Sequence, residues 1–184
     1  MTVPGPHADA LAVLEAWRPP TPGQERLRAA YVAHLRRHPD GVWRSCRPAH
    51  LTAGVLVASD DGRQVLLNLH RKARRWFHFG GHLEAGDDTL RAAALREARE
   101  ESGITGLALA PAPLHLSSHD VPFCGHDGAV THLDVRFVAR VPAGTAPVIG
   151  EESLDVRWFD VDDLPTAEPD MVELVRLSRS PRSP

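Results

Sequence analysis

Three carboxylates lie close together near the middle of the chain, at Glu97, Glu100 and Glu101. In a helix, at about 100° per residue, they fall within roughly 100° of one another on one face. Like charges at this spacing destabilise a helix by a few tenths of a kcal/mol per pair, so a cation should offset their repulsion. Mg²⁺, which prefers oxygen ligands and bridges to substrate phosphates, is the natural candidate.

The helix that must carry these carboxylates has recognisable ends. Residues 87–89 (Asp-Asp-Thr) offer three candidate N-caps, and Gly103 is placed to end the helix. The glycines of residues 80–86 permit a tight backbone path before it. An apolar stripe runs beside the acidic face, as an amphipathic helix needs. The stripe comprises Leu90, Ala94, Leu95 and Ala98.

Residues 81–104 resemble the Nudix box of MutT-like hydrolases, which cleave a diphosphate linked to another moiety. The family pattern is G, five residues, E, seven residues, then R-E-aliphatic-x-E-E-x-G-aliphatic. Its second half is matched by Arg96, Glu97, Glu100, Glu101, Gly103 and Ile104, with Ala98 at the aliphatic position. The alternative is a solvated acidic face on a surface helix, the usual meaning of clustered glutamates.

The first half of the box departs from the pattern by a one-residue insertion. Counting from Gly81, the family's glutamate falls on Asp87, and the spacer before Arg96 is then one residue too long. If Asp88 is the equivalent acid, the extra residue lies in the loop, which absorbs it easily. Which of the two pairs with Arg96 stays open at this point.

The resemblance implies roles for these residues. Mg²⁺ (or Mn²⁺) would be held by the carboxylates of Glu97, Glu100 and Glu101 and by the carbonyl of Gly81, and Arg96 would orient the glutamates. The general base is Glu97 or a residue of the Glu151–Glu152 pair, for which Glu152 is our choice. A solvated loop pair is the alternative for residues 151–152.

Candidate substrate contacts flank the glycine loop. They are Arg75, His78, His82 and Glu84, with a solvated basic loop or partly buried histidines as the alternatives. Seven of the eleven histidines lie between residues 70 and 132, but no spacing of histidine and cysteine indicates a zinc site. We therefore interpret these histidines as scattered, and Cys124 as an ordinary turn cysteine.

The composition is that of a globular protein. The 184 residues suffice for one core, and a net charge of −3 gives no basic footprint for a nucleic acid polymer. Two cysteines make no disulfide framework. The sequence shows neither the pattern of a signal peptide nor an apolar run long enough to span a membrane. We therefore expect a cytoplasmic protein without a membrane partner.

The order of helical and strand patterns favours an α/β or α+β fold. The resemblance narrows this to a Nudix-type α/β/α sandwich with a mixed β-sheet, preceded by an N-terminal helical extension. We divide the chain into the extension (1–45), a Nudix hydrolase domain (46–179) and a flexible tail (180–184). The extension would pack on the core or form a homodimer contact, and the sequence leaves both open.

The resemblance implies a divalent-metal-dependent hydrolase that attacks a phosphoanhydride with metal-activated water. Its partner would be a small-molecule substrate, either a nucleotide or an organic diphosphate. A single sequence does not identify which of these compounds it is. Two alternatives remain open. One is a non-catalytic Nudix-like nucleotide-binding regulatory module, and the other is a relative of prenyl-diphosphate isomerases, to which Cys124 gives slight support.

Overall fold

A mixed seven-stranded sheet forms the centre of the fold. The computed structural model describes residues 5–122, 124, 129–150 and 153–179. The elements within these residues are α1 (Pro6–Ala16), α2 (Pro22–Arg37), β1 (Ala49–Ser59), β2 (Gln64–His70), β3 (Trp76–Phe77), β4 (Phe79–His82), α3 (Leu90–Ser102), β5 (His115–Val121), β6 (Val130–Val141), β7 (Ser153–Asp160) and α4 (Pro169–Arg179).

Strand β1 organises the sheet. It pairs antiparallel with β2 and with β4, and parallel with β6 along its whole length. Strand β5 pairs antiparallel with β6, and β7 pairs antiparallel with β2. The short strand β4 therefore lies against the middle of β1, directly before the helix that carries the three glutamates.

Helices cover both faces of this sheet. Val55 and Val57 of β1 belong to the core cluster shared with α1, α2 and α3, whereas Leu56 and Ala58 belong to the cluster shared with α4. This alternation follows from the two-residue period of a strand. The predicted α/β/α arrangement with a mixed sheet is confirmed.

The N-terminal helices are part of the main core. Ala10, Leu14 and Tyr31 are buried in the same cluster as the sheet. The Gln24 side-chain amide donates to the Leu116 carbonyl at 3.0 Å and its oxygen accepts from the Leu116 N–H at 2.6 Å. These bonds satisfy backbone groups of the edge strand β5. The division at residues 45 and 179 stays a prediction, and residues 180–184 lie outside the described part.

Leu14→Ala tests whether α1 folds together with the sheet. Leu14 is 0% exposed, so the variant should lose about 2–5 kcal/mol of unfolding free energy. Denaturant unfolding followed by circular dichroism should show one transition at a lower midpoint. The partly buried Leu11 provides the control, since Leu11→Ala should cost less. An unchanged main transition in Leu14→Ala would show that the extension is independent of the domain.

Residues 107–109, which follow α3, form no regular strand. Their only strand pairing among the described residues is an isolated bridge between Leu109 and Ala139. Pro111 and Pro113 follow at once and lack the N–H that a ladder needs. No helix in the described part of the chain is long and apolar enough to cross a membrane.

Candidate metal centre and active site

Helix α3 is capped at both ends. The Thr89 hydroxyl accepts from the Ala92 N–H at 3.0 Å, so Thr89 is the N-cap among the three candidates. Asp9 of α1 accepts from the Leu90 N–H at 2.8 Å and satisfies another free donor of the first turn. Gly103 adopts the left-handed conformation (φ 67°) that ends the helix. The caps at both ends thus fix the position of the helix that carries the three glutamates.

Arg96 is the centre of an ion-pair network. Its guanidinium donates to both carboxylate oxygens of Asp87, at 2.9 and 3.2 Å, and to the His82 carbonyl at 3.0 Å. Nη1 also lies 3.1 Å from oxygens of Glu97 and Glu100. Asp87, which is 6% exposed, is therefore the acid that pairs with Arg96. The extra residue of the box must lie between these two partners.

The pKa of Asp87 is below its ordinary value. Burial raises the pKa, but hydrogen bonds from Arg96 and from the Glu84 N–H outweigh burial. The folded state therefore holds the Asp87 proton less tightly than the unfolded chain does. The resulting stabilisation is present above the unfolded pKa of about 3.9 and is lost as the pH falls through the folded value.

Asp87→Asn should therefore destabilise the protein in a pH-dependent way. We expect a loss of about 2 kcal/mol of unfolding free energy at neutral pH, because a charged hydrogen-bond pair is broken. The difference from wild type should shrink as the pH falls below about 4, where the unfolded wild-type chain takes up a proton, and should vanish once the folded carboxylate is protonated as well. Urea unfolding of both proteins from neutral pH to below about pH 4 measures this difference. The exposed neighbour Asp88 gives the control, since Asp88→Asn should change the free energy of unfolding by less than about 0.5 kcal/mol. An equal loss in both variants would contradict the ion pair between Asp87 and Arg96.

The three glutamates differ in exposure. Glu97 has a side chain that is 16% exposed and packs against Gly81, whereas Glu100 is 59% exposed. Burial raises the pKa of Glu97, and the charge of Arg96 partly offsets this rise. Glu101 accepts from the Gly80 N–H at 2.9 Å. All three carboxylates are thus anchored around the β4 glycines and Arg96.

A residue that sequence reasoning missed lies beside Glu101. Asn68 on β2 is 1% exposed, and its Nδ2 is 3.5 Å from a Glu101 oxygen. Its Oδ1 is buried with no hydrogen-bond partner among the described residues. Carboxylate and amide oxygens are the ligands that Mg²⁺ and Mn²⁺ accept, so this donor set fits a hard divalent cation.

The predicted substrate contacts separate in the structure. Arg75 pairs with Glu168 at the start of α4, and Glu84 lies 3.8 Å from Arg96 with an exposed side chain. Glu151 and Glu152 lie outside the described residues. Substrate contact by Arg75 and Glu84, and a base at Glu152, stay predictions.

His78 lies in a buried polar network. Its Nε2 is 3.1 Å from Asp134, which also accepts from Arg136 at 2.7 Å and from Thr52 at 3.1 Å. Burial lowers the pKa of His78, and the Arg136 charge lowers it further, although Asp134 opposes both. The side chain therefore ties the residue between β3 and β4 to β6. A substrate contact by His78 also stays a prediction.

The His82 side chain belongs to a second group of residues that the sequence analysis treated as scattered. His50, His82, Cys124 and His132 bring their ligand atoms within 4.8 Å of one another. The histidines are therefore not scattered, and Cys124 lies among them. A substrate contact by His82 stays a prediction. The residues come from four separate segments, so only the strand pairing reveals the group: His50 and His132 are direct partners in the β1–β6 ladder.

The chain is similar in sequence to a known hydrolase. NAD-capped RNA hydrolase NudC of Escherichia coli (strain K12 / DH10B) is 31% identical over 117 residues, 62% of this chain and 41% of NudC. The chain thus spans less than half the length of that curated relative.

Solved structures show the same fold. The Ap4A hydrolase binary complex of C. elegans has a TM-score of 0.54 at 21% identity, covering 69% of this chain and 93% of the other. The NUDIX domain of Shewanella oneidensis NrtR, complexed with ADP ribose, has a TM-score of 0.57 at 20% identity, covering 82% and 96%. The family model for the NUDIX domain matches residues 48–177, and the chain belongs to the Nudix family.

Proposed function

We propose that this protein is a hydrolase that cleaves the phosphoanhydride bond of a nucleoside diphosphate linked to another moiety, or of a related organic pyrophosphate, with Mg²⁺ or Mn²⁺. One observation carries the proposal. Glu97, Glu100 and Glu101 share one face of α3 and are held against the β4 glycines by Arg96 and the Gly80 N–H. A merely solvated acidic face would not be anchored in this way.

The glutamates and the Gly81 carbonyl would hold the cation. When bound there, the ion neutralises phosphate charge and lowers the pKa of a coordinated water. The side chains of this protein do the positioning. Arg96, fixed by buried Asp87, holds Glu97 and Glu100 in place. The exposed Glu100 can turn towards a ligand at little cost in packing.

The reaction is a displacement at phosphorus. The oxygen of water forms a bond to one phosphorus of the anhydride, and the bridging P–O bond breaks. The electrons of that bond leave with the second phosphate, and a general base takes the proton of the attacking water. Glu97, within the site, and Glu152 are the candidate bases. Glu152→Gln separates them: a large fall in kcat with unchanged metal affinity would identify Glu152 as the base, whereas near-wild-type kcat would leave Glu97.

The relatives suggest which substrates to test first. NudC is named for NAD-capped RNA, the C. elegans enzyme for Ap4A, and the NrtR domain was solved with ADP ribose. All contain a nucleoside attached to a chain of phosphates. A net charge of −3 favours the small molecules over the RNA polymer. We therefore propose a small nucleotide as the substrate class.

A substrate panel tests the proposal. NADH, ADP-ribose, Ap4A, nucleoside triphosphates, a prenyl diphosphate and NAD-capped RNA would be incubated with Mg²⁺ or Mn²⁺ in ¹⁸O-labelled water. Label in one phosphate product, dependent on the metal, would support hydrolysis. Tight nucleotide binding without turnover would instead indicate a binding module, and rearranged prenyl diphosphate without phosphate release would indicate an isomerase. Either result would overturn the proposal.

A further inference from the structure

A cluster of three histidines and one cysteine lies next to the glutamate site but is separate from it. It consists of His50 of β1, His82 of β4, Cys124 between β5 and β6, and His132 of β6. His50 is 0% and Cys124 5% exposed, and the two other residues are partly buried. The proposed hydrolysis uses none of these side chains.

The geometry of the cluster is that of ligands around one centre. The Cys124 sulfur lies 3.0 Å from Nε2 of His132, 3.3 Å from Nε2 of His82 and 3.8 Å from Nε2 of His50. Around a tetrahedral zinc ion, bond lengths of about 2.3 Å to sulfur and 2.0–2.1 Å to nitrogen separate these atoms by about 3.5 Å. The observed separations bracket that value.

The three imidazole rings are also evenly arranged. Their centroids are 5.1 Å apart for His50 and His82, 5.0 Å for His50 and His132, and 5.0 Å for His82 and His132. Three side chains from three strands thus form a nearly equilateral triangle, and the sulfur approaches the same nitrogen of each ring. Hydrophobic packing alone gives no reason for this convergence.

A hydrogen bond from the outer nitrogen of His50 orients this ring towards the centre of the cluster. Nδ1 of His50 lies 3.2 Å from the Cys46 carbonyl, to which it donates, and the lone pair of Nε2 therefore faces Cys124. A bond of this kind from the distal nitrogen is what metal-bound histidines usually make. Without a cation, a single thiol proton would have to satisfy the lone pairs directed at it.

The histidines are suited to bind metal at neutral pH. Burial lowers the pKa of His82 to about 4 and that of His132 to about 3, and neighbouring imidazoles lower both further. Both rings are therefore neutral and offer their lone pairs. Three neutral imidazoles and a thiolate favour a borderline-soft ion such as zinc over Mg²⁺.

We propose that His50, His82, Cys124 and His132 bind one zinc ion in a closed, structural site. Four protein ligands fill a tetrahedral shell, whereas a catalytic zinc keeps a position open for water or substrate. The ion joins β1, β4, β6 and the β5–β6 connection. His82 directly follows Gly81, and the His82 carbonyl accepts a hydrogen bond from Arg96. Zinc bound to His82 would therefore also fix β4, the strand against which the glutamates pack.

Metal analysis of the untagged full-length protein, purified without chelator, tests this site. We expect about one zinc ion per chain, which is lost in Cys124→Ser and in His132→Ala. His70→Ala is the control, since His70 is a partly buried histidine of β2 that belongs to neither group of possible metal ligands among the described residues. Glu100→Gln should keep its zinc, which separates this site from the proposed hydrolytic centre.

Cobalt substitution gives a readout that does not depend on whether the variants fold. Co²⁺ exchanged into the wild-type protein should give the visible bands of tetrahedral coordination and a thiolate-to-metal charge-transfer band. Wild-type protein that contains little zinc and takes up neither Zn²⁺ nor Co²⁺ stoichiometrically would overturn the proposal. Equal zinc contents in Cys124→Ser and wild type would do the same.

Discussion

Glu100→Gln should lower kcat/KM for the best substrate of the panel on the order of 100- to 1000-fold, the size of effect seen when one electrostatic group of an active site is removed. The substitution keeps the shape of the side chain and removes its charge. Because Glu100 is 59% exposed, the unfolding free energy should change by less than about 0.5 kcal/mol. Activity and stability should therefore separate clearly.

Glu15→Gln is the control for this experiment. Glu15 has a side chain that is 42% exposed and pairs with Arg36 on the N-terminal helices. Its loss should leave kcat/KM unchanged. Steady-state kinetics with saturating Mg²⁺ or Mn²⁺, together with thermal unfolding of both variants, provide the comparison. Turnover of Glu100→Gln at the wild-type rate would show that hydrolysis does not depend on this carboxylate.

Gly81→Ala should disable the same site through packing alone. A Cβ at this position would lie 2.6 Å from Oε1 and 2.7 Å from Cδ of Glu97, which is too close for either to stay in place. The whole Glu97 carboxylate must therefore move away from β4. A displacement of about 1 Å in an active site can cost 100-fold in rate, and we expect a fall in kcat of that order.

Gly86→Ala is the matched control, because a Cβ at Gly86 meets nothing within 4 Å. Both variants add one methyl group before α3, at Gly81 in β4 and at Gly86 in the loop that follows. We expect near-wild-type kinetics from Gly86→Ala and a loss of about 1–3 kcal/mol of stability from Gly81→Ala, since overpacking also strains the fold. Equal kcat values in the two variants would mean that the position of Glu97 does not matter for the reaction.

The part of the site that the sequence predicts is local in the chain. Glu97, Glu100 and Glu101 share a face because they share a helix, and the cap of that helix, Thr89, is one of three adjacent candidates. In each case the relevant contacts lie within a few residues, where period and capping rules apply.

The part that the sequence does not predict depends on strand pairing. His50 and His132 are 82 positions apart and meet only because β1 and β6 pair in parallel. Asn68 reaches Glu101 only because β2 lies beside β1 in the sheet. Even the choice between Asp87 and Asp88 required the loop geometry, since both are acids at neighbouring positions. Pairings between strands that are distant in the chain leave no local pattern in a single sequence.

Manganese binding tests the central claim most directly. Electron paramagnetic resonance of zinc-loaded protein, titrated with Mn²⁺ in the presence of AMP, reports the affinity of the glutamate site in wild type and in Glu100→Gln. We predict one Mn²⁺ site in the wild type, with an affinity at least about tenfold weaker in the variant and unchanged in Glu15→Gln. Equal Mn²⁺ affinity in all three proteins would contradict a metal centre on α3.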